Sequence, residues 1–529
     1  MLPLLCLFLL GSVVSSCAEE ERPVTPALDL GETPFLPIPR YVRPDPGSFG
    51  LDSTVRVSVQ TDTGRDSLLR AELLGFLFRR TGWDLGGNVQ KDRYDLLFWK
   101  KSPVDRYLGL RLNDTLMPGQ PEGYLLRIFQ DSILLESNSE LGLLKGLQTF
   151  KQLFPIQPND TLAEYSIYTI PTGTIRDYPE WGYRGIMLDV SRHFFEPEEV
   201  KGLIDQLAFY KMNRLHLHLS DDQGWRLEIH SWPKLSQVGG SKEVGGTPGG
   251  FFTQEEFADL VEYADRKGIL LIPEFDMPGH TQAAIASYPY LNGTNRPPEL
   301  YTGTRVGFSS LATRKEVVYQ FVDSLFSELK PLIGNAPIHI GGDESEATSA
   351  SDYIYFMNRV KKMADRRGIR LMGWEDIAVA DIDSTTTVQY WRGRKLPERA
   401  LDMGAKLVLS PAWNAYLDMK YSEDSRYGLS WAGYIPLDSA YSWRPEEEFP
   451  DHRRSVLGIE APLWSETISN PDEMEYLAFP RLLAYAELGW APPENRDLHS
   501  FRERLACIQR FLDEDGIDYY QSPSVNWKD

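Results

Sequence analysis

Between residues 183 and 466 eight short apolar runs recur, each closed by a polar or aromatic cluster and then, in most cases, a helix-like stretch. They fall at 185–188, 214–219, 269–273, 338–341, 370–373, 386–390, 406–409 and 457–463. Eight β units with intervening helices over roughly 310 residues fit a (β/α)8 TIM barrel, whose usual length is about 250 with insertions allowed. The repeat therefore predicts an α/β chain with a barrel over 176–529. The stretch 419–455 carries no clear helical pattern and is expected to be an elaborated loop between the last two strands.

A different texture precedes the barrel. Residues 55–59 alternate as a strand should, 67–80 carry helical spacing, 123–136 hold two strands joined at Gln130-Asp131, and a helix is expected over 140–153. Strands and helices without strict alternation suggest a small α+β domain over 37–175, closed by a Pro-rich stretch near 157–175. Residues 17–36 are polar, Pro-rich and aperiodic, the composition of a flexible tether.

The first sixteen residues form an apolar run too short to span a bilayer, which needs roughly 20 residues, and end in small residues as a signal peptide does. Val14-Ser15-Ser16-Cys17 resembles the bacterial lipoprotein cleavage box, although no Lys or Arg precedes the run. The resemblance implies lipid on Cys17, export, and membrane attachment only through that N-terminal anchor. The acidic residues after Cys17 look like the surface-export tether of Bacteroidetes lipoproteins.

Composition narrows the function classes. Lys plus Arg number 55 against 76 Asp plus Glu, a net charge of −21, which argues against nucleic acid as a partner. Three cysteines exclude a disulfide scaffold, and thirteen tryptophans suggest that many serve a binding surface.

Barrel enzymes carry their chemistry at the C-terminal ends of the strands, and the polar residues fall there. Arg192 follows the first run and Asp221 the second; His280 follows the third and Asp343-Glu344 the fourth. Trp374, Trp391, Tyr416 with Asp418, and Trp464 with Glu466 follow the last four. Aromatic faces cover the C–H surfaces of a sugar, and charged groups bind its hydroxyls. Adjacent residues on a regular strand point to opposite faces, so Asp343 and Glu344 reach one site only if the strand is ending after Gly341-Gly342.

The segments HLHLSDDQGWRLEI, PEFDMPGH, HIGGDE, YLD and LWSE, in this order, resemble glycoside hydrolase family 20, the β-N-acetylhexosaminidases. The stretch EGYLLRIFQDSILLESNSELGLLKGLQTFKQL is similar to the small domain that precedes this family's barrel. Leu217 stands where the family commonly has Trp, a change that concerns packing.

The resemblance implies an exo-acting, retaining enzyme that removes terminal β-linked GlcNAc or GalNAc, with no metal and no cofactor. Catalysis would be substrate-assisted: the 2-acetamido oxygen attacks C1 and forms an oxazolinium ion, this family being an exception to the two-carboxylate scheme. Glu344 would be the general acid and then base. Asp343 would orient the acetamido N–H, and Tyr416 would hold the acetamido oxygen. Arg192, Asp418 and Glu466 would bind hydroxyls, Trp374, Trp391 and Trp464 would wall the pocket, and Asp221 with His280 would form a relay behind Glu344. Trp431 would belong to the leaving-group side.

Two other readings stand beside this one. His216-x-His218, His280 and Asp343 imitate the ligands of a metal-dependent barrel hydrolase, although the His-x-His falls on the second strand and no Lys suited to carboxylation lies on the middle strands. A non-catalytic sugar-binding lipoprotein would keep the Trp and Arg but has no need of Asp343-Glu344 with Tyr416.

Overall fold

The computed structural model describes residues 25, 29–53, 55–60, 66–85, 107–112, 119–154 and 167–528; Cys17 and the apolar leader lie outside them. The N-terminal sheet has six strands: β1 (Tyr41–Leu51), β2 (Arg56–Gln60), β3 (Tyr107–Leu112), β4 (Tyr124–Ile128), β5 (Ser132–Ser137) and β6 (Tyr168–Asp177). Their spatial order is β1-β6-β4-β5-β3-β2. Along β4 the side chains alternate, with Tyr124, Leu126 and Ile128 buried, because one face of the sheet is covered by the helix Glu140–Gln152. Ser139 caps that helix by accepting from Gly142 N at 3.1 Å.

Two expectations about this domain change. Where the Pro-rich closing stretch is described, from Tyr168 onward, it is the strand β6, paired on both edges. Its Pro171 lies where β1 bulges between Pro44 and Ser48, and Thr172 Oγ1 bridges the bulge by donating to Asp45 O and Gly47 O, both at 2.8 Å. A bulge frees the ladder position that proline cannot fill. The segment expected as a tether is docked wherever it is described. Thr25 accepts from Thr169 N through Oγ1 and from Thr169 Oγ1 through its carbonyl, Leu30 and Phe35 are buried, and Leu36 is held through both backbone groups by the Gln152 side chain.

Eight parallel strands close the barrel: β7 (Tyr183–Asp189), β8 (Arg214–His218), β9 (Leu270–Glu274), β10 (Ile338–His339), β11 (Leu371–Trp374), β12 (Thr387–Tyr390), β13 (Lys406–Leu409) and β14 (Val456–Leu463). Every expected run overlaps one of them, and β14 pairs with β7 to complete the ring. The outer helices follow the amphipathic rule. Gln254–Arg266 starts at a Thr253–Glu256 capping box and buries Phe257, Leu260 and Ala264 at i, i+3 and i+7. The long excursion over 419–455 contains the short helix Leu437–Ser442 and is pinned by Arg481, which donates to Leu417 O, Met419 O and Ile435 O.

The sheet domain sits against the end of the barrel where the strands begin. Arg184, at the start of β7, pairs bidentately with Glu122 at 2.6 and 3.0 Å and is fully buried. Lys211 Nζ donates to Asp177 Oδ2 (3.1 Å) and to Tyr124 Oη (3.0 Å), while Trp490 Nε1 donates to the same Asp177 oxygen at 2.8 Å. Trp490 comes from the barrel's last quarter yet packs into the sheet domain's core.

Candidate active site

The opposite end of the barrel gathers the polar side chains. Its floor is an ionic cluster inside the ring of strands. Glu274, the last residue of β9, meets His218 Nδ1 at 2.7 Å, His339 Nδ1 at 2.9 Å and His216 Nε2 at 3.0 Å, and accepts from Trp374 Nε1 at 2.9 Å. Burial works against ionising this carboxyl, but the three imidazoles outweigh it and hold its pKa well below the usual value. His216 is pushed up to about 9 because Glu460 and Glu274 overcome the cost of its burial.

This cluster separates the residues that the metal reading would need together. His216 and His218 turn their ring nitrogens to Glu274, Glu460 and Asp221, whereas His280 lies with Asp221, Asp276 and Asp343. The four do not converge.

Above the floor, Asp189 ends β7 and fixes the turn that follows. Its Oδ1 accepts from Ser191 N (2.8 Å) and Arg192 N (3.0 Å), and its Oδ2 from Arg192 Nη1 (3.1 Å) and Ser465 N (3.1 Å). Arg192 is thereby held with its guanidinium over the Trp464 ring at 4.9 Å, 2.8 Å from Asp221 Oδ2 and 3.7 Å from Glu466 Oε1. Asp221 also meets His218 Nε2 at 2.9 Å through Oδ2 and, from β9's exit, His280 Nδ1 at 3.0 Å through Oδ1.

From His280 the chain of contacts reaches the carboxylate pair. Nε2 lies 3.6 Å from Glu344 Oε2 and 3.8 Å from Asp343 Oδ2. Burial disfavours a charged His280, but Asp221 and Asp276 outweigh it and raise its pKa well above the usual value. Burial, and next the charge of Asp343, push Glu344 up to about 7.

The backbone explains how neighbours 343 and 344 share one site. β10 ends after two residues, Gly341 and Gly342 both take positive φ (61° and 101°), and Glu344 itself sits at φ 44°. A Cβ on Gly341 would fall 2.0 Å from Asp276 Oδ1, so the turn tolerates no side chain there. His280 is also left-handed, at φ 52°. Two of the three non-glycine residues with positive φ among those described are thus site residues, the kind of stored strain that functional turns carry.

The remaining wall is aromatic. Trp374 and Trp464 lie 5.7 Å apart between ring centres, Tyr416 stands 6.4 Å from Trp464, and Trp431 closes the edge at 5.9 Å from Tyr416 and 6.3 Å from Trp391. Trp431 is 58% exposed, so one aromatic face is presented at the rim. Tyr416 and Asp418 lie several residues beyond β13, after the short helix Ala412–Ala415, and return to the mouth because Leu417 N donates to Pro462 O of β14 at 2.7 Å. Among the described residues no close protein hydrogen bond reaches either oxygen of the buried Asp418, Oε2 of Glu466 or Oδ1 of Asp343, although backbone N–H groups of Asp418 and Trp464 lie near Asp418 and the Asp276 carboxyl lies near Asp343.

All eleven residues expected at the site are therefore brought together. Of the tryptophans, many of which were expected at a binding surface, Trp374, Trp391, Trp431 and Trp464 gather here, while Trp181, Trp225, Trp443 and Trp490 are buried elsewhere. Sequence reasoning passed over Asp189, Asp276 and Glu274. Asp276 Oδ1 accepts from Gly342 N at 2.8 Å and lies beside Asp343; burial and that neighbour push its carboxyl well up. Its signal was present in PEFDMPGH, at the centre of a motif whose ends attracted the attention.

The glycosyl hydrolase family 20 catalytic-domain model matches residues 181–493, and the model for domain 2 of the same family matches 32–178. The β-N-acetylhexosaminidase of Cellulomonas fimi is 36% identical over 422 residues, 79% of this chain and 84% of that protein. A β-hexosaminidase of Porphyromonas gingivalis is 33% identical over 97% of this chain and 68% of its own length. Among solved structures, Streptomyces plicatus N-acetyl-β-hexosaminidase in complex with thio-NAglucal superposes with a TM-score of 0.87 at 39% identity, covering 95% of this chain and 99% of that one. A two-residue strand ending in an acidic pair, a buried arginine and an aromatic wall thus sit on a scaffold matched over both its parts, and the chain belongs to glycosyl hydrolase family 20.

Proposed function

We propose that the chain is an exo-acting, retaining β-N-acetylhexosaminidase that releases terminal β-linked GlcNAc or GalNAc from glycans through an oxazolinium intermediate. The observation that carries this reading is the acidic pair at the end of β10, with Glu344 raised to about 7 and His280 behind it. A carboxyl with that pKa holds a proton at neutral pH and can give it to a leaving oxygen.

In the first step the acetamido oxygen bonds to C1, the glycosidic C1–O bond breaks, and Glu344 protonates the departing oxygen. In the second, Glu344 takes a proton from water, the water oxygen bonds to C1, and the C1–O bond to the acetamido group breaks. Two inversions give net retention. Asp343 holds the acetamido N–H and offsets the positive charge that grows on it; its Oδ1, which no close protein hydrogen bond reaches, supports that role. Tyr416 holds the acetamido oxygen below C1, and that fixed geometry lowers the barrel's entropic demand on the attack.

Arg192 binds the 3- and 4-hydroxyls, and Asp418 and Glu466 accept from hydroxyls; that no close protein hydrogen bond reaches the Asp418 oxygens or Glu466 Oε2 supports this. Trp374, Trp391 and Trp464 enclose the acetamido group and ring, and Trp431 meets the leaving group. Asp221 and His280 tune Glu344 as a relay. Paired 4-nitrophenyl β-glycosides with and without the 2-acetamido group test the mechanism: the glucoside should be almost inert. A covalent 2-fluoro sugar on Asp343 would make that carboxylate the nucleophile and refute the assisted route.

Export and lipidation at Cys17 are proposed from Val14-Ser15-Ser16-Cys17 alone. Cys17→Ala should abolish lipid labelling and leave turnover intact; a mature N-terminus found elsewhere would overturn the assignment.

A further inference from the structure

The exit of β11 holds a carboxylate that none of the steps above uses. Glu375 opens the turn Glu375–Val379 and is 2% exposed. Its Oε2 accepts from Trp391 N (2.9 Å) and Arg392 N (3.2 Å), and its Oε1 accepts from Gly393 N (2.8 Å). Three consecutive N–H groups of the turn after β12 thus converge on one carboxylate, an anion nest built from a neighbouring strand's exit. Asp376 completes the grip. Its Oδ2 accepts from Trp391 Nε1 at 3.2 Å and its Oδ1 from Arg392 Nη2 at 2.5 Å, and the Arg392 guanidinium lies 4.4 Å from the Trp391 ring centre.

Trp391 is therefore held at both ends, backbone by Glu375 and indole by Asp376, while its two neighbours in the turn are held by the same pair. Burying a carboxylate is expensive, and a packed apolar side chain would fill the space more cheaply. Even with three N–H donors, burial leaves Glu375 pushed up to about 7. What a carboxylate supplies and an apolar side chain does not is a fixed direction for the turn.

We infer that Glu375, with Asp376, is a positioning residue that sets how closely Trp391 closes over the substrate's N-acyl group, and so sets the acyl size the enzyme accepts. The inference rests on the reading of Trp391 as part of the acetamido wall. A merely stabilising Glu375 would, when replaced, lower turnover of all substrates alike. A positioning Glu375 would, when replaced, loosen the wall and change the ratio between substrates.

The test is kcat/KM for a series of 4-nitrophenyl 2-acylamido-2-deoxy-β-glucosides with N-acetyl, N-propionyl and N-butanoyl groups. Wild type, Glu375→Gln, Glu375→Ala and Trp391→Ala are compared after thermal unfolding shows each variant to be folded. Glu375→Gln keeps one carbonyl oxygen for the nest and sets an amide against the third N–H, so it is the milder lesion. The expected result is a fall of roughly tenfold to a hundredfold on the N-acetyl substrate, the cost of an ångström-scale misplacement, with a smaller fall on N-butanoyl. The discrimination would then drop in the order wild type, Glu375→Gln, Glu375→Ala. If Trp391→Ala relaxes the discrimination and both Glu375 variants leave it at the wild-type ratio, the positioning role is overturned while the pocket reading stands. If Trp391→Ala leaves the ratio unchanged, the pocket reading fails and takes the inference with it.

Discussion

As the proposed general acid, Glu344 would carry two requirements that conflict in water: to hold a proton near neutrality and then to surrender it. Burial and Asp343 answer the first by raising its pKa to about 7, and His280 at 3.6 Å answers the second by favouring the carboxylate once the proton has gone. The sign fixes the pH dependence. An acid must be protonated to act, so kcat/KM on an alkyl or glycosyl leaving group should be fully present below about 7 and fall as pH rises through that value. Glu344→Gln should remove that limb and cost about a hundredfold or more on such substrates, with a much smaller loss in the first step for a phenolate leaving group. A limb that persists in the variant would assign the proton to another residue. Asp343→Asn should instead lose rate on every substrate and bind a thiazoline analogue of the intermediate poorly, because the residue acts on charge that develops at the transition state. Asp343 and Glu344 were legible in the sequence because the glycines that bend the strand adjoin them. Glu375 was not, since it works on a turn contributed by another strand 16 residues away, and Asp276, though it stands in PEFDMPGH, gave no sign of its contact with Gly342, 66 residues on. Local pattern carries no record of such a pairing.

At the scale of elements, the eight barrel runs were readable because each strand is short, apolar and closed by polar residues. In the sheet domain β2, β4 and β5 were legible by their alternation, whereas β1 and β6 were hidden by proline and glycine at their shared bulge. A long-range contact likewise joins the helix Asp66–Thr81 to the rest. Glu72 meets Lys151 Nζ at 2.5 Å and Lys267 Nζ at 3.0 Å, tying that helix to Glu140–Gln152 and to the end of the barrel helix Gln254–Arg266. Burial alone would raise the Glu72 pKa, but the two lysines outweigh it and lower it from 4.5 to about 2. Burial outweighs Glu72 for Lys151 itself, which stays below its usual value. A depressed carboxyl stabilises the fold fully above its ordinary pKa, and the contribution is lost as pH falls from about 4.5 towards 2. Glu72→Gln should therefore be less stable than wild type in urea at pH 6, and the gap should narrow as the pH is lowered through that window. A gap that stays constant with pH would show that the ion pairs contribute nothing.

On the scale of the whole molecule, the sheet domain is joined to the barrel by buried charge. Arg184 belongs to the first barrel strand, yet its carboxylate partner, Glu122, belongs to the sheet domain. Removing Glu122 leaves a guanidinium with 0% side-chain exposure unpaired, which for a buried pair costs about 3–5 kcal/mol. Glu122→Ala should lower stability by about that amount, with loss of turnover and loss of far-ultraviolet ellipticity shifting together along the denaturant axis. If ellipticity alone shifted and turnover kept its wild-type midpoint, the two parts would be independent units. The change of texture from Tyr183 onward is visible in the sequence, but this joint is not, because Arg184, Lys211 and Trp490 each look like ordinary barrel residues until the fold sets them against Glu122 and Asp177.

The two-residue β10 has a consequence for how such a chain can vary. Five residues separate Ile338 from Glu344, and three of them are held from outside: Ile340 N donates to Met372 O, Gly341 O accepts from Trp374 N, and Gly342 N donates to Asp276 Oδ1. Looser stretches lie elsewhere, as where Trp431 and Tyr434 of the 419–455 excursion are exposed. Between Ile338 and Glu344 there is no slack, since one inserted residue would carry the proton donor out of reach of His280 and one deleted residue would unseat the pair from the Asp276 contact. The acidic pair thus hangs from a short stave held at several points along its length, so its place in the barrel leaves room for change mainly in what surrounds it.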